Sequence, residues 1–122
     1  MIEKIEIWGR TFELNIDFDL YPGDVISEEQ KERLIDFRSD AKLLSDKSFV
    51  EDYCINDNRN EINKGIDNIF KYVIPKTIFV PQSSQNRTII LLCDYKFDIE
   101  HGLAIVYNNN KFKEIASQDD IL

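Results

Sequence analysis

Apolar residues occupy every second position near the start of the chain, in two short runs. The residues that form these runs are Ile5, Ile7, Phe12, Leu14, Ile16, Phe18 and Leu20. A period of two is typical of a β-strand with one buried face, and the residues between the later members are acidic or amide side chains. Because Gly9 and Arg10 separate the runs as a tight turn, residues 2–20 are predicted to form a β-hairpin with one wet, acidic face.

The period becomes helical after the turn residues 21–24. Ser27 stands three residues before Gln30, which predicts a capping box in which the Ser27 hydroxyl accepts from the backbone N–H of Gln30. Apolar residues then recur every three or four positions. This spacing predicts an amphipathic helix over about residues 28–44.

A second, short helix is predicted after Ser45 or Ser48, either of which is a suitable N-cap. Its apolar side would hold Phe49, Val50, Tyr53 and Cys54. Residues 62–73 repeat apolar side chains at helical spacing until Pro75, which would end a third helix. A strand that begins near Ile69 is the competing assignment, because Ile, Phe, Tyr and Val also favour sheets.

The last part of the chain is rich in β-branched and aromatic residues. Strands are predicted at 77–80, 87–95, 103–107 and 111–115, separated by turn-forming residues. Residues 89–93 are apolar without alternation, which predicts a central strand covered on both faces. Elements grouped by type indicate an α+β fold: an N-terminal hairpin, two or three helices, and a C-terminal antiparallel β-meander in one mostly antiparallel sheet packed by the helices.

Length and composition indicate one domain over residues 1–122. A chain of 122 residues with 43% hydrophobic side chains can bury a core without disulfides or metals, which argues against disorder. We expect a cytoplasmic protein that does not bind membranes, because the sequence has no signal-peptide pattern and no apolar run long enough to span a bilayer. The cysteines Cys54 and Cys93 are expected to be buried thiols.

The formal net charge of −8 is concentrated in one part of the chain. Residues 13–61 hold fourteen acidic and six basic side chains, whereas residues 62–122 hold seven of each. A negative surface repels phosphate backbones and attracts basic partners, so we expect no nucleic-acid binding. Solubility alone is the plainer explanation of the acidity.

The densest group of reactive side chains surrounds the single histidine. Asp98, Glu100 and His101 could serve in proton transfer or bind a divalent ion. A turn between two strands is the interpretation we favour, in which Asp98 accepts from backbone donors, His101 braces the loop and Gly102 has a positive φ. The chain has no second histidine for a zinc set, and Cys93 lies in the most apolar strand. The sequence therefore predicts no catalytic residue, metal site or cofactor.

The C-terminal third carries the pattern D-x-E-H-G-x-A-(I/V)-V…I-x-x-Q-D, which is similar to that of an uncharacterised bacterial family. The residues that carry the pattern are Asp98, Glu100, His101, Gly102, Gln118 and Asp119. The resemblance implies a small acidic intracellular protein with no assigned activity. By association, it also implies a link to immunity proteins encoded beside toxins of contact-dependent inhibition systems. We expect the signature residues to be structural.

The acidity and the resemblance together predict a non-enzymatic immunity protein that neutralises a cognate bacterial toxin, such as a basic nuclease, by direct binding as a monomer or weak dimer. An enzyme or metal-dependent module centred on Asp98, Glu100 and His101 is the alternative, and a structural adaptor is the third. Tyr53 is predicted as a further aromatic anchor for the partner. The predicted partner-binding residues are Trp8, Asp17, Asp19, Tyr21, Asp24, Glu28, Glu29 and Glu32.

Overall fold

The computed structural model describes residues 1–41, 44–62, 65–82 and 86–122. Within these ranges, six strands form one sheet in sequence order: β1 (Ile2–Ile7), β2 (Arg10–Phe18), β3 (Val73–Val80), β4 (Thr88–Tyr95), β5 (Leu103–Asn108) and β6 (Lys111–Ser117). Only β2 and β3 pair in parallel, and the other neighbours are antiparallel. The predicted α+β class with a mostly antiparallel sheet is confirmed.

Two helices connect the parallel strands β2 and β3. These are α1 (Glu28–Asp40) and α2 (Lys47–Asp57), and a short helix α3 (Gln118–Ile121) follows β6. The capping box of α1 is present as predicted, since the Gln30 backbone N–H donates to Ser27 Oγ at 3.1 Å. The predicted extension of this helix to residue 44 is wrong at its end, because α1 stops at Asp40; residues 42 and 43 lie outside the described ranges.

The turn of the first hairpin lies one residue earlier than predicted. Trp8 and Gly9, with φ of 51° and 84°, form a two-residue turn in which Ile7 faces Arg10. A positive φ in both turn residues matches the twist of the flanking strands. Glycine adopts this conformation freely, whereas Trp8 adopts it under tertiary restraint.

The third predicted helix, over residues 62–73, is wrong. Only a 3-10 turn at Ile69–Lys71 is helical among its described residues, and residues 63 and 64 lie outside them. β3 begins at Val73 and continues through Pro75, so the competing strand assignment was closer. Proline is tolerated because the register with β4 shifts between Pro75 and Thr77, where a ladder hydrogen bond is not required.

The sheet is apolar on both faces, but only one face is covered by α1 and α2. On that face Ile16, Ile78 and Ile105 pack in one buried cluster with Leu34 and Phe37 of α1. On the opposite face, a smaller cluster contains Ile90, Ala104 and Val106, with Phe79, Leu92 and Ile121 packed against it. β4 therefore carries buried side chains on both faces, as predicted for the central strand.

Buried polar side chains attach α1 across one end of the sheet. Gln30 Nε2 donates to the carbonyl oxygens of Asp19 and Val80 at 3.1 and 3.2 Å. One turn later, Arg33 Nη1 donates to the carbonyl oxygens of Pro81 and Thr88, both at 2.8 Å. These bonds satisfy backbone acceptors at the ends of β2 and β3 and at the start of β4.

The same series continues along α1 to the last hairpin. Asp36 accepts from Arg87, and Asp40 Oδ2 accepts from Asn110 Nδ2 at 2.9 Å in the turn between β5 and β6. A helix of 13 residues is about 20 Å long, which equals roughly four strand spacings. α1 thus spans the strand ends from β2 to the β5–β6 turn. Among the described helices, none is long and apolar enough to cross a membrane.

Candidate functional site

The histidine lies between two carboxylates where β4 turns into β5. His101 Nδ1 is 3.1 Å from Asp98 Oδ1, and His101 Nε2 is 3.0 Å from Asp119 Oδ2 at the start of α3. The His101 backbone N–H also donates to Asp98 Oδ1 at 3.2 Å. The hydrogen bond to Asp98, followed by the charge of Asp119, raises the pKa of His101 and favours the imidazolium.

Gly102 and Gln118 complete this arrangement. Gly102 has a φ of 65°, and a Cβ there would lie 2.5 Å from the Cys93 carbonyl oxygen and 2.7 Å from Gln118 Nε2. Gln118 Nε2 donates to the carbonyl oxygens of Cys93 and Leu103, both at 3.3 Å. We refer to Asp98, His101, Gly102, Gln118 and Asp119 as the C-terminal clasp, since they join α3 to the β4–β5 turn. Glu100 is exposed in this turn.

The chemistry of the C-terminal clasp is that of a structural contact. Both imidazole nitrogens have carboxylate partners, so the ring has no free nitrogen for a substrate proton in this geometry. No group of three or more metal-binding side chains occurs in the described ranges. Cys93 is buried, and its burial strongly raises the thiol pKa, while burial raises the pKa of Cys54 to about 11. Neither thiol is activated as a nucleophile.

Trp8, predicted as a partner anchor, is engaged inside the fold. Its indole Nε1 donates to Asp46 Oδ1 at 2.8 Å, and its ring stacks on Phe70 with centroids 6.0 Å apart. Tyr107 Oη donates to the other oxygen of Asp46 at 2.7 Å, and burial raises the pKa of Tyr107. Asp46 therefore joins the turn of the first hairpin to β5, although β1 and β2 lie far from β5 in the sheet order.

The role of Asp46 was not predicted, because no local pattern identifies it. Its two donors are 38 and 61 residues away along the chain. It is only 2% exposed, and a buried carboxylate needs such donors to offset its desolvation. The only sequence signal was a helix N-cap position, which Asp46 occupies without making a capping hydrogen bond.

The acidic residues that were predicted to form one surface lie on two sides of the molecule. Asp17 alternates with the buried Ile16 and pairs in register with Phe79, whose side chain packs in the outer cluster. Asp17 therefore points to the face opposite α1. Glu28, Glu29 and Glu32 of α1 belong to the helical side, and Asp19 lies just beyond the end of β2.

Three of the predicted acids have partners within the chain, and one of them, Glu28, pairs with Lys31 at 3.2 Å on the exposed side of α1. Glu29 pairs with the fully buried guanidinium of Arg33, which donates through Nε at 3.0 Å to one carboxylate oxygen. This hydrogen bond lowers the pKa of Glu29, partly opposed by desolvation. Asp24 Oδ2 accepts from Gln82 Nε2 at 2.6 Å. Glu29 and Asp24 stabilise the fold around the start of α1.

The predicted residues Tyr21, Glu28 and Glu32 lie along the outward side of α1 and the turn before it, together with exposed apolar residues that were not predicted. Tyr21, Val25 and Ile35 are 70%, 83% and 62% exposed. Glu28, Glu32, Ile35 and Ser39 follow one another at helical spacing on the side opposite the buried Gln30, Leu34 and Phe37. We refer to Tyr21, Val25, Glu28, Glu32, Ile35 and Ser39 as the α1 surface. Over residues 19–40 the chain has seven acidic and three basic side chains.

The turn that presents Tyr21 has a defined backbone. The Asp24 N–H donates to the Tyr21 carbonyl oxygen at 3.0 Å, with Pro22 and Gly23 between them. Gly23 has a φ of 87°, which fits a type II turn with proline at the second and glycine at the third position. Tyr21 is thus held outside the core at the start of the α1 surface.

A cleft of about 460 Å³ lies at the other end of α1. Phe49 is 55% exposed there and stacks on Phe112 with centroids 5.1 Å apart, although the sequence predicted it to share a buried side with Val50 and Cys54. Val50 and Cys54 are buried, and Tyr53 is half-buried. The residues that line the cleft are Asp40, Leu44, Ser45, Asp46, Phe49, Asn109, Asn110, Lys111 and Phe112.

Comparison with known proteins identifies a family but no activity. The family model described as "Domain of unknown function (DUF6985)" matches residues 2–122, so the chain belongs to that family. No curated protein matches the chain, and no solved structure matches it.

Proposed function

We propose that this protein, a member of a family without an assigned activity, binds a basic protein partner and that the partner docks along the α1 surface. The observation that carries the proposal is the concentration of exposed apolar side chains there. Among the described residues, three of the nine exposed large hydrophobic side chains, Tyr21, Val25 and Ile35, lie on the α1 surface, and Leu20 and Phe49 lie beside the two ends of α1.

Exposed apolar side chains in one region favour protein recognition over solubility. An isolated exposed Leu or Val needs no explanation, whereas a group around one helix is typical of an interaction surface. Tyr21 supplies an aromatic ring with a polar end, which is common at interface hot spots. Solubility alone accounts for the carboxylates but not for these apolar neighbours.

The charge of the α1 surface favours a basic partner. Lys31 pairs with Glu28 at 3.2 Å, and Arg38 pairs with Glu3 at 2.8 Å, so the basic side chains of α1 are opposed by acids. The excess carboxylates leave a negative potential that would accelerate association with a basic protein and weaken with added salt.

The inner side of α1 gives this surface a rigid support. The hydrogen bonds of Gln30 and Arg33 to strand ends hold the helix at fixed positions along its length. A partner would therefore meet a preformed surface and would not have to order a loop on binding, which lowers the entropic cost of association.

The resemblance carried by the C-terminal signature favours one specific function within this proposal, the neutralisation of a toxin. The partner would then be a cognate bacterial toxin in the cytoplasm, such as a basic nuclease, and the α1 surface would cover its basic active site. The protein would act as a monomer or weak dimer.

The first experiment measures binding to the protein encoded by the neighbouring gene. We expect the double variant Tyr21→Ser/Val25→Ser to lower its affinity about tenfold or more, because exposed side chains removed from an interface centre cost at least ~1.4 kcal/mol. The control is Ile99→Ser. Ile99 is 86% exposed in the β4–β5 turn, which lies at the end of the sheet opposite to the end that α1 crosses. Isothermal titration calorimetry at low and physiological salt gives both affinity and salt dependence.

Equal affinities for the double variant and for Ile99→Ser, with unchanged circular dichroism, would rule out the α1 surface as the docking site.

The proposal of toxin neutralisation is tested by measuring the growth of cells that produce the protein encoded by the neighbouring gene. We expect His101→Ala to retain protection and the double variant to lose it. Loss of protection in a folded His101→Ala protein that still binds the partner would instead favour the enzyme alternative.

A further inference from the structure

We infer that the cleft between the end of α1 and the β5–β6 turn binds an arginine side chain of the partner. This inference rests on the proposed function and extends it, because Asp40 is both the last residue of α1 and a wall of the cleft. A partner on the α1 surface would have this cleft directly beside it.

The aromatic wall of the cleft suits a guanidinium. The rings of Phe49 and Phe112 are nearly parallel, with 16° between their planes, and Phe49 keeps more than half of its surface exposed. A planar guanidinium stacks on such a ring through cation–π and dispersion contacts. An ammonium lacks the planar stacking geometry, so arginine is favoured over lysine.

The carboxylates of the cleft supply charge of the required sign. Asp40 uses Oδ2 to accept from Asn110, and Oδ1 accepts from no side chain within the described ranges. The two oxygens of Asp46 are held by the neutral donors Trp8 and Tyr107, and no described cation pairs with it. A carboxylate with no cationic partner among the described residues therefore lies at the cleft wall, where a low dielectric strengthens attraction to a cation.

The cleft has a size and a polarity that match this occupant. Its volume of about 460 Å³ lies within the range of sites for small ligands. Ser45, Asn109 and Asn110 add polar groups that can accept from the remaining guanidinium N–H donors. Among the described residues that line the cleft, Lys111 alone has a charge that opposes the cation, and it is exposed.

The test uses Nα-acetyl-arginine amide as the probe, titrated into the full chain and followed by ¹H–¹⁵N correlation spectra. We expect saturable shifts centred on residues 44–49 and 109–112. Nα-acetyl-citrulline amide has the same shape without the charge, and we expect it to produce no saturable shift. Because the probe is a single residue, weak but saturable binding is enough to support the arginine site.

Three variants locate the contacts. Asp40→Asn is expected to weaken probe binding by about three- to fivefold, and Lys111→Gln is expected to strengthen it by a similar factor. Both effects are modest because these charges are exposed and solvent screens them. Phe49→Leu is expected to weaken it through loss of the aromatic ring. Glu13→Gln is the control, because Glu13 is an exposed carboxylate on the opposite face of β2, and it should leave affinity unchanged.

Equal shifts with the citrulline probe, shifts that centre elsewhere, or indifference to Asp40→Asn would overturn the arginine site. Its failure is distinguishable from failure of the proposed function. If the probe does not bind but the Tyr21→Ser/Val25→Ser variant still loses partner affinity, only the cleft is rejected. If the probe binds as expected but that variant keeps full partner affinity, the α1 surface is rejected and the cleft remains.

Discussion

The two ends of the sheet use charged side chains in opposite ways. In the C-terminal clasp, Asp98, His101 and Asp119 contact one another. On the α1 surface, the carboxylate of Glu32 faces solvent beside the exposed apolar side chain of Ile35. The signature residues Asp98, His101 and Asp119 thus contact one another within the chain, while the α1 surface, which we propose for docking, lies outside the signature. A conspicuous sequence motif and a functional site need not coincide.

The largest effect that would test this contrast is expected from Gly102→Ala. The new methyl group would overlap the Cys93 carbonyl and Gln118 in a left-handed backbone, so we expect a loss of about 3 kcal/mol in the free energy of unfolding. Gly9→Ala is the matched control: Gly9 also has a positive φ, but a methyl group there would meet nothing within 4 Å, and about 1 kcal/mol is expected. Urea unfolding measures both. Equal losses would show that the C-terminal clasp is not closely packed.

A smaller effect is expected from Glu29→Gln on the inner side of α1. The change removes a charged acceptor from the buried Arg33, but Glu29 is 43% exposed, so water screens the pair and about 1 kcal/mol is expected. Since the pKa of Glu29 is lowered in the folded state, its contribution is present above the unfolded-state pKa and is lost as pH falls. Urea unfolding as a function of pH should show a weaker acid limb for the variant, with partner affinity unchanged.

The smallest effect is expected from His101, whose contacts are solvent-exposed. Its pKa is raised in the folded state, so its stabilising contribution is complete below the unfolded-state pKa and is lost as pH rises through the folded-state pKa. We expect His101→Gln to flatten the dependence of the free energy of unfolding on pH in this range. We expect Asp119→Asn to lower the imidazole pKa of His101, measured by NMR. An imidazole pKa that is unchanged in Asp119→Asn would contradict the bridging geometry.

Local patterns predicted those parts of the fold that local chemistry determines. Alternation indicated the first hairpin, Ser27 and Gln30 indicated the start of α1, and unbroken apolarity indicated the central place of β4. Pro75 was predicted to end a helix, but it lies within β3, where the register with β4 shifts between Pro75 and Thr77; such an irregularity, which depends on the neighbouring strand, tolerates a residue without an N–H.

Side-chain roles that depend on distant partners could not be predicted. No pattern in the sequence predicted that Gln30 and Arg33 are buried, yet both are fully buried, and strand-end carbonyls accept their hydrogen bonds. Their spacing from Phe37 and Ala41 was the available signal, since it continues the same buried stripe. Of the residues that we propose for docking, Tyr21, Glu28 and Glu32 had been named from the sequence, whereas the exposed Val25 and Ile35 had not.

The helix α1 separates two tasks that many proteins combine in one set of residues. Its inward side chains secure architecture, while Glu28, Glu32, Ile35 and Ser39 contribute nothing to the core. Evolution can therefore change these four positions without disturbing the fold. A designer could do the same, transplanting another helix's outward residues to redirect specificity on an unaltered scaffold.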